Sequence, residues 1–242
     1  MKAPEKIPDE MLADYTMNGK AKLEFNYENA CSEEIQDMIN SNFTKEIFND
    51  CLKRIAKREQ NYYGPTDTWL YKSFDDYPIE GLDVCLIGST HPWYEAMCLV
   101  FGAKSVTVCE YSDRRSVHEE VKYIKPDELK QYKFDVCISI SSYEHDGLGR
   151  YGDPLDPNGD LKAMQSLKNI IKKNGLLYLA VPTGIDKVVF NVHRVYGNHR
   201  FPLLIKNWKT LGIYDVNPIM FTNNYNGING SPYQPVFVLR NK

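Results

Sequence analysis

The chain has 242 residues, 43% of them hydrophobic and 25% charged, and a net charge of −3. That composition describes a globular protein with one main domain and a full-sized core, and it excludes a disordered chain and a general binder of polyanions such as nucleic acid. The opening Met1-Lys2-Ala3-Pro4-Glu5-Lys6 has no apolar leader core and no run approaches membrane-spanning length, so a soluble, cytoplasmic chain without a membrane span is expected.

Residues 1–30 are polar and aperiodic and read as an arm. From Ser32 the pattern changes: Ile35, Met38 and Ile39, then Ile47, Phe48, Cys51, Leu52 and Ile55, recur at three- and four-residue spacing. This predicts two amphipathic helices, broken near Asn40-Ser41-Asn42, that cap the main domain. Asn61-Tyr62-Tyr63-Gly64-Pro65 reads as a turn-rich connection.

Strands and helices then alternate. Strands are predicted over 82–88, 105–111, 121–124, 134–141, 176–182, 212–216 and 235–240. Between the first two, a helix runs from Pro92 to about Phe101 and stops at Gly102. Asp160 is the expected cap of a helix with apolar positions Leu161, Met164, Leu167 and Ile171, and Asn174-Gly175 is its expected stop. Leu203, Leu204 and Trp208 suggest one more short helix. The expected fold is α/β, a Rossmann-like, doubly wound, mostly parallel seven-stranded sheet with an N-terminal helical cap. The expected division is an arm and cap over 1–75 and a Rossmann-like domain over 76–242. The six cysteines form no C-x-x-C pair, and Cys85, Cys109 and Cys137 sit in apolar runs, so they read as reduced core residues.

The most informative stretch is Phe134-Asp135-Val136-Cys137-Ile138-Ser139-Ile140, followed by a cluster of ionisable residues and glycines from Ser141 to Asp153. A buried strand that ends in such a cluster delivers chemistry to the crevice at the carboxyl edge of an α/β sheet. The first strand ends at Ile87-Gly88-Ser89-Thr90, with one glycine where a dinucleotide fold has three. This disfavours NAD and FAD, and a cofactor without phosphates has no need of the missing glycines. Glu110 closes the second strand about twenty residues on, where an acid holds a ribose hydroxyl pair.

Together with Lys172-Lys173-Asn174-Gly175 and the strand from Leu176 to Pro182, these features resemble the class I S-adenosylmethionine-dependent methyltransferases. Tyr143 to Pro154, Asn191 to Gly197, Ser89 to Glu95 and Gln234-Pro235-Val236-Phe237-Val238 are similar to a methyltransferase-like family catalogued as a domain of unknown function and associated with glycan biosynthesis. The resemblance implies S-adenosylmethionine as methyl donor, a sugar or glycan hydroxyl as acceptor, and an O-methyltransferase activity. Gly88, Ser89, Thr90, Glu110, Tyr111 and Ser141 are the expected donor-binding residues.

An alcohol needs in-line alignment and removal of its proton to act as a nucleophile. His145, with an ordinary pKa near 6.5, is the expected general base, and Glu144 or Asp146 orients its ring. The alternative is a histidine that only ties down its loop. Tyr143, Arg150, Tyr151 and Asp153 are expected on the acceptor side, the tyrosines as a sugar-binding wall or as packing. His193 and Arg194, with His199 and Arg200 nearby, gather charge suited to an anionic acceptor. Asp156-x-Asn158-x-Asp160 has calcium-loop ligand types, but Leu161 stands where the turn requires glycine and no acid occupies the twelfth position, so no metal site is assigned. Two other functions fit the same residues: a binding protein that kept the fold and lost the chemistry, and a metal-assisted hydrolase.

Overall fold

A computed structural model describes residues 4–215, 217, 219–222 and 233–242. Seven strands form the main sheet: β2 (Asp83–Ile87), β3 (Ser105–Cys109), β4 (Val121–Ile124), β5 (Phe134–Ile140), β6 (Ile171–Ala180), β9 (Trp208–Tyr214) and β10 (Val236–Asn241). Their order is β4-β3-β2-β5-β6-β10-β9. The first five strands in that order are parallel, and β10 runs antiparallel to both its neighbours. The expected mostly parallel, seven-stranded, doubly wound sheet is therefore present.

Both faces of this sheet are covered, which is why β2, β3 and β5 can be almost continuously apolar. On one face Phe48, Cys51 and Ile55 of α3 (Lys45–Ala56), Leu70, Tyr71 and Phe74 of α4 (Pro65–Asp76), and Trp93 and Met97 of α5 (Trp93–Val100) pack on Val84, Leu86, Val136 and Ile138. On the other, Met164 and Leu167 of α6 (Gly159–Leu167) and Phe201 and Leu204 of α7 (Phe201–Leu204) meet Cys85, Cys137, Leu177 and Leu179.

The predicted helix pair is found as α2 (Glu33–Asn40) and α3, separated at the expected break. Thr44 caps α3 by accepting the Ile47 N–H at 3.2 Å. Thr44→Ala should cost about 1 kcal/mol, the usual value of such a cap, and lower the melting temperature by roughly 2–4 °C in a chain of this size. Calorimetric melting checks it.

Four local expectations need correction. The arm is structured: α1 (Asp9–Tyr15) buries Tyr15, and β1 (Lys22–Asn26) pairs in parallel with β7 (Lys187–Asn191), which pairs antiparallel with β8 (His193–Val195). A short strand whose partner lies more than 160 positions away leaves little signal in sequence. The connection near Gly64-Pro65 opens α4, because Pro65 supplies a helical φ at its first position. The helix over Gly159–Leu167 stops there, since the β-branched Ile171 starts β6 in register with Phe134. Asn174-Gly175 is then an irregularity within β6, where a Cβ on Gly175 would lie 2.6 Å from the Asp135 carbonyl. Trp208 begins β9 instead of closing a helix, and that strand reaches Tyr214; Val216 lies outside the described residues. The expected boundary between residues 75 and 76 falls at the end of α4, whose Thr66 hydroxyl donates to the Gln234 carbonyl.

Candidate active site

The carboxyl ends of β2, β3 and β5 converge. Gly88, just past β2, has φ +74°, and a Cβ there would come 2.9 Å from Ser142 Oγ, so only glycine lets the two turns meet. The Glu110 carboxylate, 9% exposed at the end of β3, accepts the Ser89 N–H at 2.8 Å and the Ser112 N–H at 3.2 Å, one on each oxygen. Among the described residues each oxygen keeps a free lone-pair position. Thr90 is exposed and its carbonyl accepts from Asn42 at 3.1 Å, while Tyr111 is half exposed. Arg114 roofs this corner: it donates to Gln36 and Asn40 of α2 at 3.0 Å, and its guanidinium lies over the Phe43 ring.

At the end of β5 the backbone turns through Ser141, at φ +52°, into a tight helical turn over Tyr143–His145. The Ser141 hydroxyl donates to Glu144 Oε1 at 2.6 Å, and Gln234 Nε2 donates to Ser141 Oγ at 3.1 Å. Glu144 is 1% exposed, and its Oε2 has no partner among the described residues. Burial pushes the Glu144 pKa up to about 7, against the opposing pull of Ser141 and the more distant Arg150 and Arg194.

His145 behaves differently. Its Nδ1 lies 2.6 Å from the Val192 carbonyl, which can only accept, so Nδ1 carries the proton and Nε2 holds the lone pair, 3.8 Å from Glu144 Oε1. Burial first, then Arg150, pushes its pKa down to about 3. Burial, with Asp153 and Asp160, pushes Asp146 up to about 8. The expectation that His145 alone titrates near neutrality is thus reversed: the groups pushed toward neutrality are the carboxyls of Glu144 and Asp146.

Tyr151 stands edge-on to His145, with centroids 5.5 Å apart, under the Arg150 guanidinium. Tyr63, from the segment joining cap to sheet, brings its phenol to Ser141. Of the two expectations for Tyr143, wall or packing, the fold gives packing: it is 4% exposed and lies in the core with Cys85, Cys137 and Met164, which corrects its placement on the acceptor side. Asp153 is also corrected, because its carboxylate accepts the N–H groups of Gly147, Gly149 and Tyr151 and ties the loop to itself.

The two arginines after β6 are engaged inside the protein. Arg194 is fully buried, donating to the carbonyls of Glu144 (3.4 Å), Asp146 (2.6 Å), Asp156 (3.3 Å) and Pro157 (3.4 Å). Arg200 forks onto Asp160 at 2.9 and 2.6 Å, and Asp160 also accepts from Tyr196. His193 lies on β8, its pKa pushed down to about 4 by burial, Arg150 and Lys187. Arg150 itself pairs with Glu28. Asp160 is therefore neither helix cap nor ligand, Asp156 is paired with Lys162, and among the described residues no cluster of three acids, histidines or cysteines suits a metal.

Gln234, Tyr63 and Glu28 are the site residues that sequence reasoning missed. Their sequence signal is slight: Gln234 opens the terminal segment of the resemblance, two residues before β10, and the other two lie in segments that read as an arm and a turn-rich connection.

Residues 81–225 match the profile of a family described as "Caenorhabditis protein of unknown function, DUF268". Among solved structures, the chain is similar to the Burkholderia thailandensis 1,6-didemethyltoxoflavin-N1-methyltransferase, solved with 1,6-didemethyltoxoflavin and S-adenosylhomocysteine. Identity is 11% and the TM-score 0.54, over 99% of this chain and 92% of that one. It is also similar to the N-methyltransferase NodS from Bradyrhizobium japonicum WM9 with S-adenosylhomocysteine, at 12% identity and TM-score 0.52, over 80% of this chain and 98% of that one. The chain spans about half (48%) of a candidate SAM-dependent methyltransferase from Streptococcus mutans, with 72% of this chain covered at 11% identity and TM-score 0.45. No curated protein matches the sequence. At these identities the likeness shows the fold alone, a Rossmann-like α/β architecture. No helix among the described residues is long and apolar enough to cross a membrane.

Proposed function

We propose, for a chain that belongs to the DUF268 family, an S-adenosylmethionine-dependent O-methyltransferase with Glu144 as general base and a neutral carbohydrate hydroxyl as acceptor. The observation that carries this reading is Glu144. A buried carboxyl with one oxygen fixed by Ser141 and the other unpartnered among the described residues lies in the tight turn just after the central strand β5. Its pKa of about 7 balances ionisation against basicity at neutral pH.

The residues present fit the methyl donor. Gly88, at φ +74°, lets the turn after β2 close against Ser142 beside Glu110, and the lone pairs that Glu110 keeps free among the described residues suit two ribose hydroxyls. When bound, the donor supplies an electrophilic methyl group on a sulfonium. Glu144 Oε2 accepts the acceptor's hydroxyl proton, and Ser141, steadied by Gln234, holds Oε1 so that the free oxygen keeps its direction. His145, neutral and bonded to Val192, orients the loop and does not carry the proton. Tyr151 and Tyr63 offer ring surface for a sugar.

A neutral acceptor follows from charge. Arg150, Arg194 and Arg200 are matched by Glu28, by four carbonyls and by Asp160, whereas among the described residues no lysine or arginine side chain is bonded to the carboxyl of Glu144 or Asp146. An anionic acceptor would be repelled as these ionise. In this proposal residues 1–75 form the arm and cap and residues 76–242 the methyltransferase domain, acting in the cytoplasm.

The test is transfer of label from methyl-labelled S-adenosylmethionine to a panel of neutral sugars and glycans. The expected result is a base-stable labelled ether on at least one of them. Donor binding without transfer to any hydroxyl would leave a binding protein. Glu110→Ala should weaken S-adenosylhomocysteine binding by about 1.5–3 kcal/mol, the range for a hydrogen bond to a charged group. Titration calorimetry measures it, and unchanged affinity would remove Glu110 from the donor site.

A further inference from the structure

We propose that Glu95 is a positioning residue for the methyl donor, acting through Ser89; the inference rests on the donor site assigned above. Glu95 belongs to α5, and its neighbours Trp93, Ala96, Met97 and Cys98 are all buried apolar residues. It is itself completely buried, a costly place for a carboxyl that has no cation bonded to it among the described residues. Among the described residues its side-chain bonds go to two hydroxyls: Oε1 accepts from Ser89 Oγ at 2.6 Å and from the Tyr123 phenol at 3.0 Å, and Oε2 has no partner.

Ser89 is thereby held from two sides. Its hydroxyl proton goes to Glu95, a shorter contact than the 3.3 Å to the His91 carbonyl, and its N–H goes to Glu110. Ser89 Oγ is left as an acceptor only, and the turn after β2 is pinned between an acid beneath it and the acid assigned to the donor ribose. Packing alone would be served as well by a leucine, whereas this arrangement requires an oxygen acceptor at residue 95.

The experiment is calorimetric titration of the full chain with S-adenosylhomocysteine, with melting temperatures measured on the same samples. Glu95→Leu should weaken binding roughly 10-fold or more, as expected for a charged-group hydrogen bond acting on the site. Glu95→Gln keeps a carbonyl oxygen for Ser89 and should bind close to wild type. Ser89→Ala should weaken binding similarly, and adding it to Glu95→Leu should cost little more, because both changes break one path. A folded Glu95→Leu with wild-type affinity, additive losses in the double variant, or Glu95→Gln as weak as Glu95→Leu would overturn the inference. If Glu95→Leu does not fold, wild-type affinity in Ser89→Ala overturns it instead. Wild type that fails to bind S-adenosylhomocysteine would overturn the donor site, and this inference with it; wild-type binding with unaffected variants overturns the inference alone.

Discussion

Glu144→Gln is expected to lower methyl transfer by about 10²–10⁴-fold, the usual worth of a general base, with S-adenosylhomocysteine affinity close to wild type. Glutamine keeps the acceptor for Ser141 Oγ but has no basic oxygen for the substrate proton. The wild-type rate should fall as pH drops below about 7, because protonation of Glu144 removes the base, and this limb should vanish in the variant. Stability supplies an independent check. A carboxyl whose folded pKa is raised from 4.5 to about 7 binds more protons folded than unfolded between those values, so its contribution to stability falls as pH rises through that window. Glu144→Gln should therefore melt higher than wild type at pH 8 and near wild type at pH 4. His145→Asn, by contrast, should keep the acidic limb, since His145 is already neutral there. Loss of the limb in His145→Asn with its persistence in Glu144→Gln would return the role of base to the histidine.

The second large effect is structural. Arg194→Ala should destabilise the fold by about 3–5 kcal/mol, the range for removing one partner of a buried charged network. That is a large share of the roughly 5–15 kcal/mol that holds an ordinary domain together. The cause is local: Arg194 satisfies four backbone carbonyls of the loop that carries Glu144, while Tyr15 lies beneath its guanidinium and donates to the Gly147 carbonyl. Arg194→Lys, which cannot fork to four carbonyls, should recover only part of the loss. A drop in melting temperature of roughly 10 °C is expected for the alanine variant, on the scale of 2–4 °C per kcal/mol. Wild-type stability with selective loss of acceptor turnover would instead make Arg194 an acceptor ligand.

The sheet was legible in sequence because its strands are apolar runs bounded by turns. Val121–Ile124 matches residue for residue, and Phe134 to Ile140 differs from its predicted span by one residue. Elements made by distant pairing were not legible. β1 is a five-residue strand whose partner β7 lies far along the chain, and neither has the two-sided apolar pattern of β5. The site divides in the same way. The cluster after β5 announces itself, since Glu144, His145 and Asp146 follow a buried strand within six residues. Which of them titrates near neutrality depends on the Val192 carbonyl, on Arg150 and on depth of burial, none of which is local. Likewise His193-Arg194 reads as a cationic pair for a ligand, and only the fold shows Arg194 turned inward onto the loop. Gln234 and Tyr63 join the site across the sheet and from the cap, so they carry no spacing signal.

Titration of the full chain with S-adenosylhomocysteine tests the central claim most directly, because it asks for donor binding without requiring the acceptor. The account predicts saturable one-to-one binding by wild type, retained in Glu144→Gln and weakened in Glu110→Ala. The absence of binding heat and of any thermal shift with wild type would contradict it.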